Sequence, residues 1–367
     1  MSAAESQYFA LLRAALWETP VAVDGPVDWK TVFQIAMFHG NAALLADLAA
    51  RKEEDAPSPK LFAKMQNVMR ENLIHQMRLK QILVSAVKLL REHDIEPVLL
   101  KGFGLAMLYP NPSLRQFGDI DLFVGTSDFH EACTLLRTLP GGYNWGEEVE
   151  IGRHYNIEFG QYPMEVHRVS ADVEDAKEQR LYVAMEQDGL VDHSQRIDLE
   201  GFEVTIPSKE FAVFFTFYHA WHHFLETGVG WRQLSDVALA LHSYQGQLDL
   251  DKLKTWINAM RLMQPWQTFG YLMVDRLGLP EAELPFYSPK CSRRAKRLYC
   301  QIMKEGNFKR ANHFKRKKPK SRLWHKVHAS FSIFVDFFHR VGVFPSHAFR
   351  EMGRSLKAAF GKNFQKK

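Results

Sequence analysis

The sequence predicts an α+β fold, in which a mixed β-sheet core lies between N-terminal helices and an all-α C-terminal domain. Apolar residues recur at helical spacing before position 94 and after position 207. Between these positions the apolar runs are short and alternate with polar residues, and turns containing Gly and Pro separate them. We therefore expect an N-terminal helical layer over residues 1–94, a core over 95–207 and a helical domain over 208–367.

Three stretches of the N-terminal layer have helical apolar spacing, at residues 3–17, 29–50 and 61–93. A break with Pro and Gly separates the first two stretches, and a charged linker with Pro at 53–59 precedes the third. The third stretch stops just before an apolar run that reads as a strand, so the helical layer should end on the first strand of the core.

The core is predicted to alternate strands with short helices. A strand over 97–101 leads into a short helix over 102–109, and a second strand covers 119–124. Ser127 is the candidate N-cap of a helix that ends at Leu136. Two strand pairs follow, a hairpin with strands at 155–159 and 164–169 and a pair of short strands within 196–206.

The C-terminal domain is predicted to be helical throughout. Ser208 is its first N-cap, and five helical patterns follow, at 211–225, 231–244, 250–260, 265–277 and 293–304. A strongly basic segment then covers residues 309–322, from Lys309 to Arg322. It could bind RNA, DNA or anionic lipid, but a solvated basic loop is the commoner outcome for such a run.

Composition indicates a folded chain of two or three domains. The 367 residues are 46% hydrophobic and 24% charged, as is usual for globular proteins. The formal net charge is only +5, so binding to nucleic acid would have to rest on local clusters. Three isolated cysteines favour a reducing cytoplasm. We expect neither a signal peptide nor a membrane span, because the apolar stretch at 330–344 is short and interrupted by charges.

Asp119 and Asp121 carry the clearest chemical signal. Side chains alternate faces along a strand, so these two carboxylates point the same way while Ile120 and Leu122 point the other. Two neighbouring like charges are best tolerated where a cation lies between them. Carboxylate oxygens favour Mg²⁺ or Mn²⁺, and these ions bind nucleotide phosphates. The pair therefore predicts metal-assisted phosphoryl or nucleotidyl transfer.

Several motifs resemble the signature of an uncharacterised bacterial nucleotidyltransferase family, within the DNA polymerase β-like nucleotidyltransferase superfamily. They are Leu100-Lys101-Gly102, Tyr109-Pro110, Arg115 with Gly118-Asp119-Ile120-Asp121-Leu122, Glu165-Val166-His167 and the helical block from Tyr218 to Leu241. The resemblance extends over roughly residues 30–345. It implies a nucleotidyltransferase-fold sheet, a site for Mg²⁺ or Mn²⁺ and an NTP as co-substrate.

The resemblance also implies a third carboxylate on a neighbouring strand, for which Glu165 is the best candidate. Asp119, Asp121 and Glu165 could then bridge two ions, one activating the nucleophile and one holding the triphosphate. His167 shares the strand face of Glu165 and could orient substrate or transfer a proton. Two aspartates that simply end a turn on an exposed strand are the structural alternative.

Lys101, Gly102 and Arg115 are candidates for binding the phosphates. The superfamily usually has Gly-Ser or Gly-Gly after the first strand, whereas this chain has Lys101-Gly102-Phe103-Gly104. Lys101 could contact phosphate as a point charge, and Gly102 permits close approach of the backbone. Arg115 could clamp phosphate or pair with a nearby acid.

A polar helix face adds His223 and Arg232 to the nucleotide-binding candidates. His219, His222 and His223 follow i, i+3, i+4 spacing, which predicts a polar wall facing the catalytic cleft. Zinc binding by these histidines is disfavoured, because no His-Glu-x-x-His motif accompanies them. Arg232 and Asp236 could instead form a simple helix ion pair.

These residues predict a metal-dependent nucleotidyltransferase that moves an NMP group from an NTP to an acceptor hydroxyl or phosphate. Transfer of a terminal phosphoryl group is a neighbouring possibility. The acceptor, which could be a protein, an RNA or a small molecule, is left open. The rival hypothesis is a non-catalytic scaffold that binds RNA or a protein partner through the basic segment.

Overall fold

The computed structural model describes residues 1–51, 55–143, 152–173, 175–306, 337, 340–350 and 352–353. The basic segment predicted over 309–322 lies outside these residues. None of the helices in the described ranges combines the length and apolarity that a bilayer crossing requires.

Four helices form the N-terminal part: α1 (Ala3–Trp17), α2 (Trp29–His39), α3 (Ala42–Arg51) and α4 (Pro59–Arg91). The helical stretch predicted over 29–50 is therefore two helices. Gly40 ends α2 with a left-handed backbone, at φ 76°, and its N–H donates to the Ala36 carbonyl. The periodic pattern continues across this break, because α2 and α3 both bury their apolar faces in the same core.

The described residues form one seven-stranded mixed sheet with the order β3-β4-β5-β2-β1-β7-β6. Its strands are β1 (Val98–Leu99), β2 (Ile120–Phe123), β3 (Gly142–Tyr143), β4 (His154–Phe159), β5 (Tyr162–His167), β6 (Gln195–Asp198) and β7 (Glu203–Ile206). β2 is parallel to β5 and β1 is parallel to β7, while the other neighbours are antiparallel. The predicted hairpin and the predicted mixed sheet are confirmed.

In its described residues the core contains three α-helices, α5 (Phe103–Ala106), α6 (Gly125–Leu136) and α7 (Ala176–Glu186). Two predictions need correction. The helix after the first strand is shorter than predicted over 102–109, and Ser127 is not an N-cap, because α6 already begins at Gly125. The strand that carries the aspartates begins at Ile120, so Asp119 occupies the position just before it.

The C-terminal part is helical in its described ranges, as predicted. It contains α8 (Lys209–Glu226), α9 (Trp231–Ser243), α10 (Leu250–Ala259), α11 (Met263–Leu277) and α12 (Ser292–Glu305). The expected N-cap is confirmed, because the Ser208 side chain accepts a hydrogen bond from the Phe211 N–H.

Two apolar clusters hold these layers together. One joins α1, α2 and α3 to the C-terminal helices, through residues such as Phe9 and Trp231. The other covers a face of the sheet with α4 and α6, through residues such as Leu83, Phe129 and Val166. The polar side chains of β2 and β5 are directed to the opposite face, toward α8 and α9, where a cavity is left.

Candidate active site

Two parallel strands bring the predicted carboxylates together. β2 pairs with β5, and Asp121 lies directly opposite Glu165. Residues paired in this way point to the same face of a sheet. Asp121 is completely buried, whereas the Glu165 side chain is 29% exposed. Asp119, two positions before Asp121, lies with both of them in the wall of one cavity.

His167 contacts two of the carboxylates. Its Nε2 atom is 3.1 Å from Oδ1 of Asp121 and 3.3 Å from Oε2 of Glu165. Burial would lower the pKa of His167, but the hydrogen bonds to Asp121 and Glu165 raise it above its ordinary value. Burial would likewise raise the pKa of Glu165, but the hydrogen bond from His167 lowers it. Both effects favour the charged forms of the pair.

Lys101 places a cation beside the same carboxylates. It follows β1, and its Nζ atom lies 3.1 Å from Oδ2 of Asp121 and 3.5 Å from Nε2 of His219. Burial lowers the pKa of Lys101, but the charges of Asp121 and Asp119 raise it above the usual value for lysine. Lys101 is therefore an ammonium ion that can neutralise carboxylate or phosphate charge.

The two aspartates have opposite electrostatic surroundings. Burial would raise the pKa of Asp121, but Lys101 and the hydrogen bond from His167 hold it well below its ordinary value. The charge of Asp121, followed by burial, raises the pKa of Asp119. An added cation next to Asp119 would relieve this repulsion.

Arg115 is held in place by α9 and holds the turn after β1. Its Nε and Nη2 atoms contact Asp236 at 2.7 and 3.0 Å, and Nη1 donates to the Gly102 carbonyl at 3.0 Å. The Tyr109 hydroxyl also donates to Asp236, at 2.8 Å. Arg115 was expected either to clamp phosphate or to pair with a nearby acid. In this structure it pairs with an acid, Asp236.

Arg232 is partly free for a ligand. Its Nη1 atom donates to Asp236 at 3.3 Å, which is the helix ion pair considered for these residues, and 16% of its side chain remains exposed in the cavity wall. Asp236 therefore joins two arginines, Arg115 on the loop before β2 and Arg232 on α9. The charge of Arg232 can act on an anion without breaking that contact.

One face of α8 supplies two imidazoles. Nε2 of His223 lies 3.0 Å from Nε2 of His219, and Nδ1 of His223 lies 2.8 Å from the Thr227 hydroxyl. Burial and the charge of Lys101 lower the pKa of both histidines, that of His223 to about 4. His222 lies with Tyr218 in the wall of a different cavity. Of the three predicted histidines, His219 and His223 therefore line the cavity beside the sheet.

All nine predicted site residues line a single cavity of about 310 Å³, between the sheet and helices α8 and α9. They are Lys101, Gly102, Arg115, Asp119, Asp121, Glu165, His167, His223 and Arg232. The oxygen donors of the three carboxylates suit a hard divalent cation such as Mg²⁺ or Mn²⁺. Lys101 and Arg232 suit the phosphates that such an ion carries.

His154 was not identified from the sequence, and only one of the contacts of Asp236 was identified. His154 lies opposite His167 on β4, with the ring centroids 5.3 Å apart. Extending the predicted strand by one residue before Tyr155 would have included it. Asp236 was considered only as a partner of Arg232, and its long-range pair with Arg115 has no local sequence signal.

Comparisons with proteins of known structure find two solved structures that are similar to part of this chain. The antibiotic-resistance factor ANT(2'')-Ia is 16% identical, with a TM-score of 0.34, and the match covers 50% of this chain and 91% of that protein. An antigenic nucleotidyltransferase-like protein from Paracoccidioides brasiliensis is 14% identical, with a TM-score of 0.36 and coverage of 57% and 94%. No curated protein sequence matches the chain.

A family model gives the clearer result. It matches residues 25–278, which is well over half of the chain, and it describes an uncharacterised nucleotidyltransferase. The match includes every residue that lines the cavity between the sheet and helices α8 and α9. The chain therefore belongs to this family of uncharacterised nucleotidyltransferases.

Proposed function

We propose that this protein is a metal-dependent nucleotidyltransferase that moves an NMP group from an NTP to an acceptor hydroxyl or phosphate. The observation that carries the proposal is the register of β2 and β5, which sets Asp121 opposite Glu165 with Asp119 and Lys101 beside them. Carboxylates and a lysine in one cavity wall are the groups that nucleotidyl transfer requires.

Mg²⁺ or Mn²⁺ would be held by Asp119, Asp121 and Glu165, and it would supply charge stabilisation at the phosphates. In the reaction an acceptor oxygen attacks the α-phosphorus, the bond from the α-phosphorus to the bridging oxygen breaks, and pyrophosphate leaves. Lys101 and Arg232 would bind the phosphates and stabilise the negative charge that develops on them. Asp121 or Glu165 would take the proton of an acceptor hydroxyl, because the contacts of His167, the third candidate, favour its protonated form.

Arg115 has a supporting role in this proposal. It binds the Gly102 carbonyl and Asp236, so it would fix the turn that presents Lys101 and the helix that presents Arg232. His223 would contact the base or the acceptor as a neutral imidazole.

The three cysteines are free thiols, which agrees with the cytoplasmic location that we propose.

The test is incubation with each α-³²P-labelled NTP and Mg²⁺ or Mn²⁺, with a host-cell lysate as the source of acceptor. The wild type is compared with an Asp119→Ala/Asp121→Ala double variant. A matched control is Asp24→Ala/Asp251→Ala, which removes two exposed carboxylates outside the cavity. We expect label to move to a lysate component, or to the protein itself, in the wild type and the control only.

Three other outcomes are informative. Transfer of γ-label without transfer of α-label would replace the proposal with terminal phosphoryl transfer. Transfer that persists in the double variant would contradict the assigned carboxylates. Absence of both transfers, with no thermal stabilisation by ATP and Mg²⁺, would contradict the enzyme and favour the scaffold.

A further inference from the structure

A second donor set lies next to the proposed nucleotide-binding metal site. His154 on β4 pairs directly with His167 on β5, and Glu165 lies two positions before His167 on the same strand face. Each of these three side chains offers one ligand atom, and the three atoms lie within 4.8 Å of one another. The centroids of the two imidazole rings are 5.3 Å apart, and the rings are tilted by 40°.

The nitrogen atoms of His167 are not equivalent. Nε2 lies between Asp121 and Glu165, so it is the atom that donates a proton to the carboxylates. Nδ1 is buried and has no hydrogen-bond partner among the described residues. A metal ion that binds Nδ1 would displace the proton of that atom, while Nε2 stays hydrogen-bonded to the carboxylates, and histidine ligands to metals are commonly oriented by a carboxylate in this way.

We infer that His154, Glu165 and His167 form a binding site for a first-row transition ion that favours imidazole ligands, such as Zn²⁺ or Fe²⁺, in preference to Mg²⁺. Two imidazoles and one carboxylate are a donor set that suits Zn²⁺ and Fe²⁺, whereas Mg²⁺ and Mn²⁺ favour oxygen ligands and water. The inference rests on the proposed function for its role, because the ion would share Glu165 with the nucleotide-bound cation in the same cavity wall.

Arg153 competes with a metal for His154. Its Nε atom donates to Nδ1 of His154 at 3.0 Å, which leaves the proton of a neutral ring on Nε2. His154 therefore has to give up this hydrogen bond, or its ring has to turn over, when it binds an ion. The Arg153 side chain is 31% exposed and can move away, so removing it should strengthen metal binding.

The test is isothermal titration of the chelator-treated, nucleotide-free protein with Zn²⁺, Mn²⁺ and Mg²⁺ separately. We expect one Zn²⁺ per chain, bound at least about tenfold more tightly than Mg²⁺ or Mn²⁺. His154→Ala should weaken Zn²⁺ binding by at least about tenfold, and Arg153→Gln should leave it equal or tighter. In the Co²⁺-loaded protein, visible absorption bands should be present in the wild type and altered in His154→Ala.

Two controls separate this site from other histidines. His93→Ala removes an exposed histidine at the end of α4, and His223→Ala breaks the imidazole pair on α8. Both should retain Zn²⁺ binding. Unchanged Zn²⁺ affinity in His154→Ala, or equal loss in His223→Ala, would overturn the inference. Because His154→Ala keeps Asp119 and Asp121, its thermal stabilisation by ATP and Mg²⁺ reports on the proposed function independently.

Discussion

Arg115 and Asp236 form a buried ion pair with two contacts, at 2.7 and 3.0 Å, although they lie 121 positions apart in the chain. The pair joins the loop before β2 to α9. Because Arg115 also donates to the Gly102 carbonyl, the same guanidinium fixes the turn that follows β1. Two separate elements of the cavity wall thus depend on one carboxylate.

Replacing Asp236 should destabilise the protein strongly. Asp236→Ala leaves the Arg115 guanidinium buried without its counter-charge, and breaking a buried pair in this way costs about 3–5 kcal/mol. The measurement is the free energy of unfolding in urea. The control is Glu203→Ala, which breaks the exposed pair with Arg196 and should cost less than about 1 kcal/mol. Equal losses in the two variants would contradict the structural importance of Asp236.

Replacing each of the two aspartates in the cavity wall should have opposite effects on the stability of the metal-free protein. The Asp121 carboxylate lies between Lys101 and His167, so Asp121→Asn leaves two buried cations with less counter-charge and should cost about 3 kcal/mol. Asp119 is repelled by Asp121, so Asp119→Asn should raise the free energy of unfolding near pH 7. Urea unfolding in the presence of EDTA measures both, and a change of the same sign in both would count against this account.

Local sequence patterns were sufficient to predict that the carboxylates of Asp119 and Asp121 lie together. Asp121 lies in β2 and Asp119 just before it, and both line the cavity, as the period of two along a strand predicts. The opposition of Asp121 and Glu165 is different, because it depends on β2 and β5 being neighbours in the sheet. The sequence suggested Glu165 only through resemblance to a family.

Long-range contacts account for part of what the sequence did not reveal. The role of Arg115 was left open between phosphate and an acid, and it depends on how α9 packs against the loop before β2. The break between α2 and α3 at Gly40 was missed, since the apolar spacing on both sides stays helical. Packing decides the role of Arg115, whereas the break at Gly40 has a local cause, a glycine in the left-handed conformation.

Lys101 should behave as an internal substitute for a metal cation. In Lys101→Met the repulsion among Asp119, Asp121 and Glu165 is no longer balanced by the lysine charge, and His167 is the contacting cation that remains. Mg²⁺ alone should therefore raise the melting temperature more than in the wild type, whereas the additional gain from ATP should be smaller. Lys80→Met, outside the cavity, is the matched control. If Mg²⁺ stabilises the wild type and Lys101→Met equally, Lys101 does not balance these carboxylates.

Gly102 should resist substitution because of its backbone conformation. Its φ of 61° and ψ of −114° are accessible to glycine and strained for other residues, at a cost of the order of 1–3 kcal/mol. An added Cβ would lie 3.4 Å from the Phe117 ring, which is an ordinary contact. Backbone strain is therefore the main cause of the destabilisation expected in Gly102→Ala. Gly118→Ala has neither a positive φ nor a close neighbour and should be tolerated. Urea unfolding of both variants measures the cost at Gly102 against that of an unstrained glycine, and equal stability of the two variants would contradict the strain.

Glu186 should make stability depend on pH. It is buried at the end of α7, where its Oε1 accepts a hydrogen bond from the Ser170 N–H. Burial raises the pKa of Glu186 to about 7, although the contacts with Ser170 lower it in part. The folded state therefore holds a proton that the unfolded state releases near its ordinary pKa of 4.5. The stabilisation is complete below that pH and is lost as the pH rises through about 7.

The size of this loss is up to about 3 kcal/mol between pH 4.5 and 7.5, superimposed on the titration of all other groups. Urea unfolding across this range should therefore be compared between the wild type and Glu186→Gln, which keeps an oxygen to accept from Ser170 and cannot ionise. The difference in free energy of unfolding should increase in favour of Glu186→Gln as the pH rises. Parallel pH profiles would mean that Glu186 is already ionised at pH 5 in the folded protein, and that burial does not control its proton.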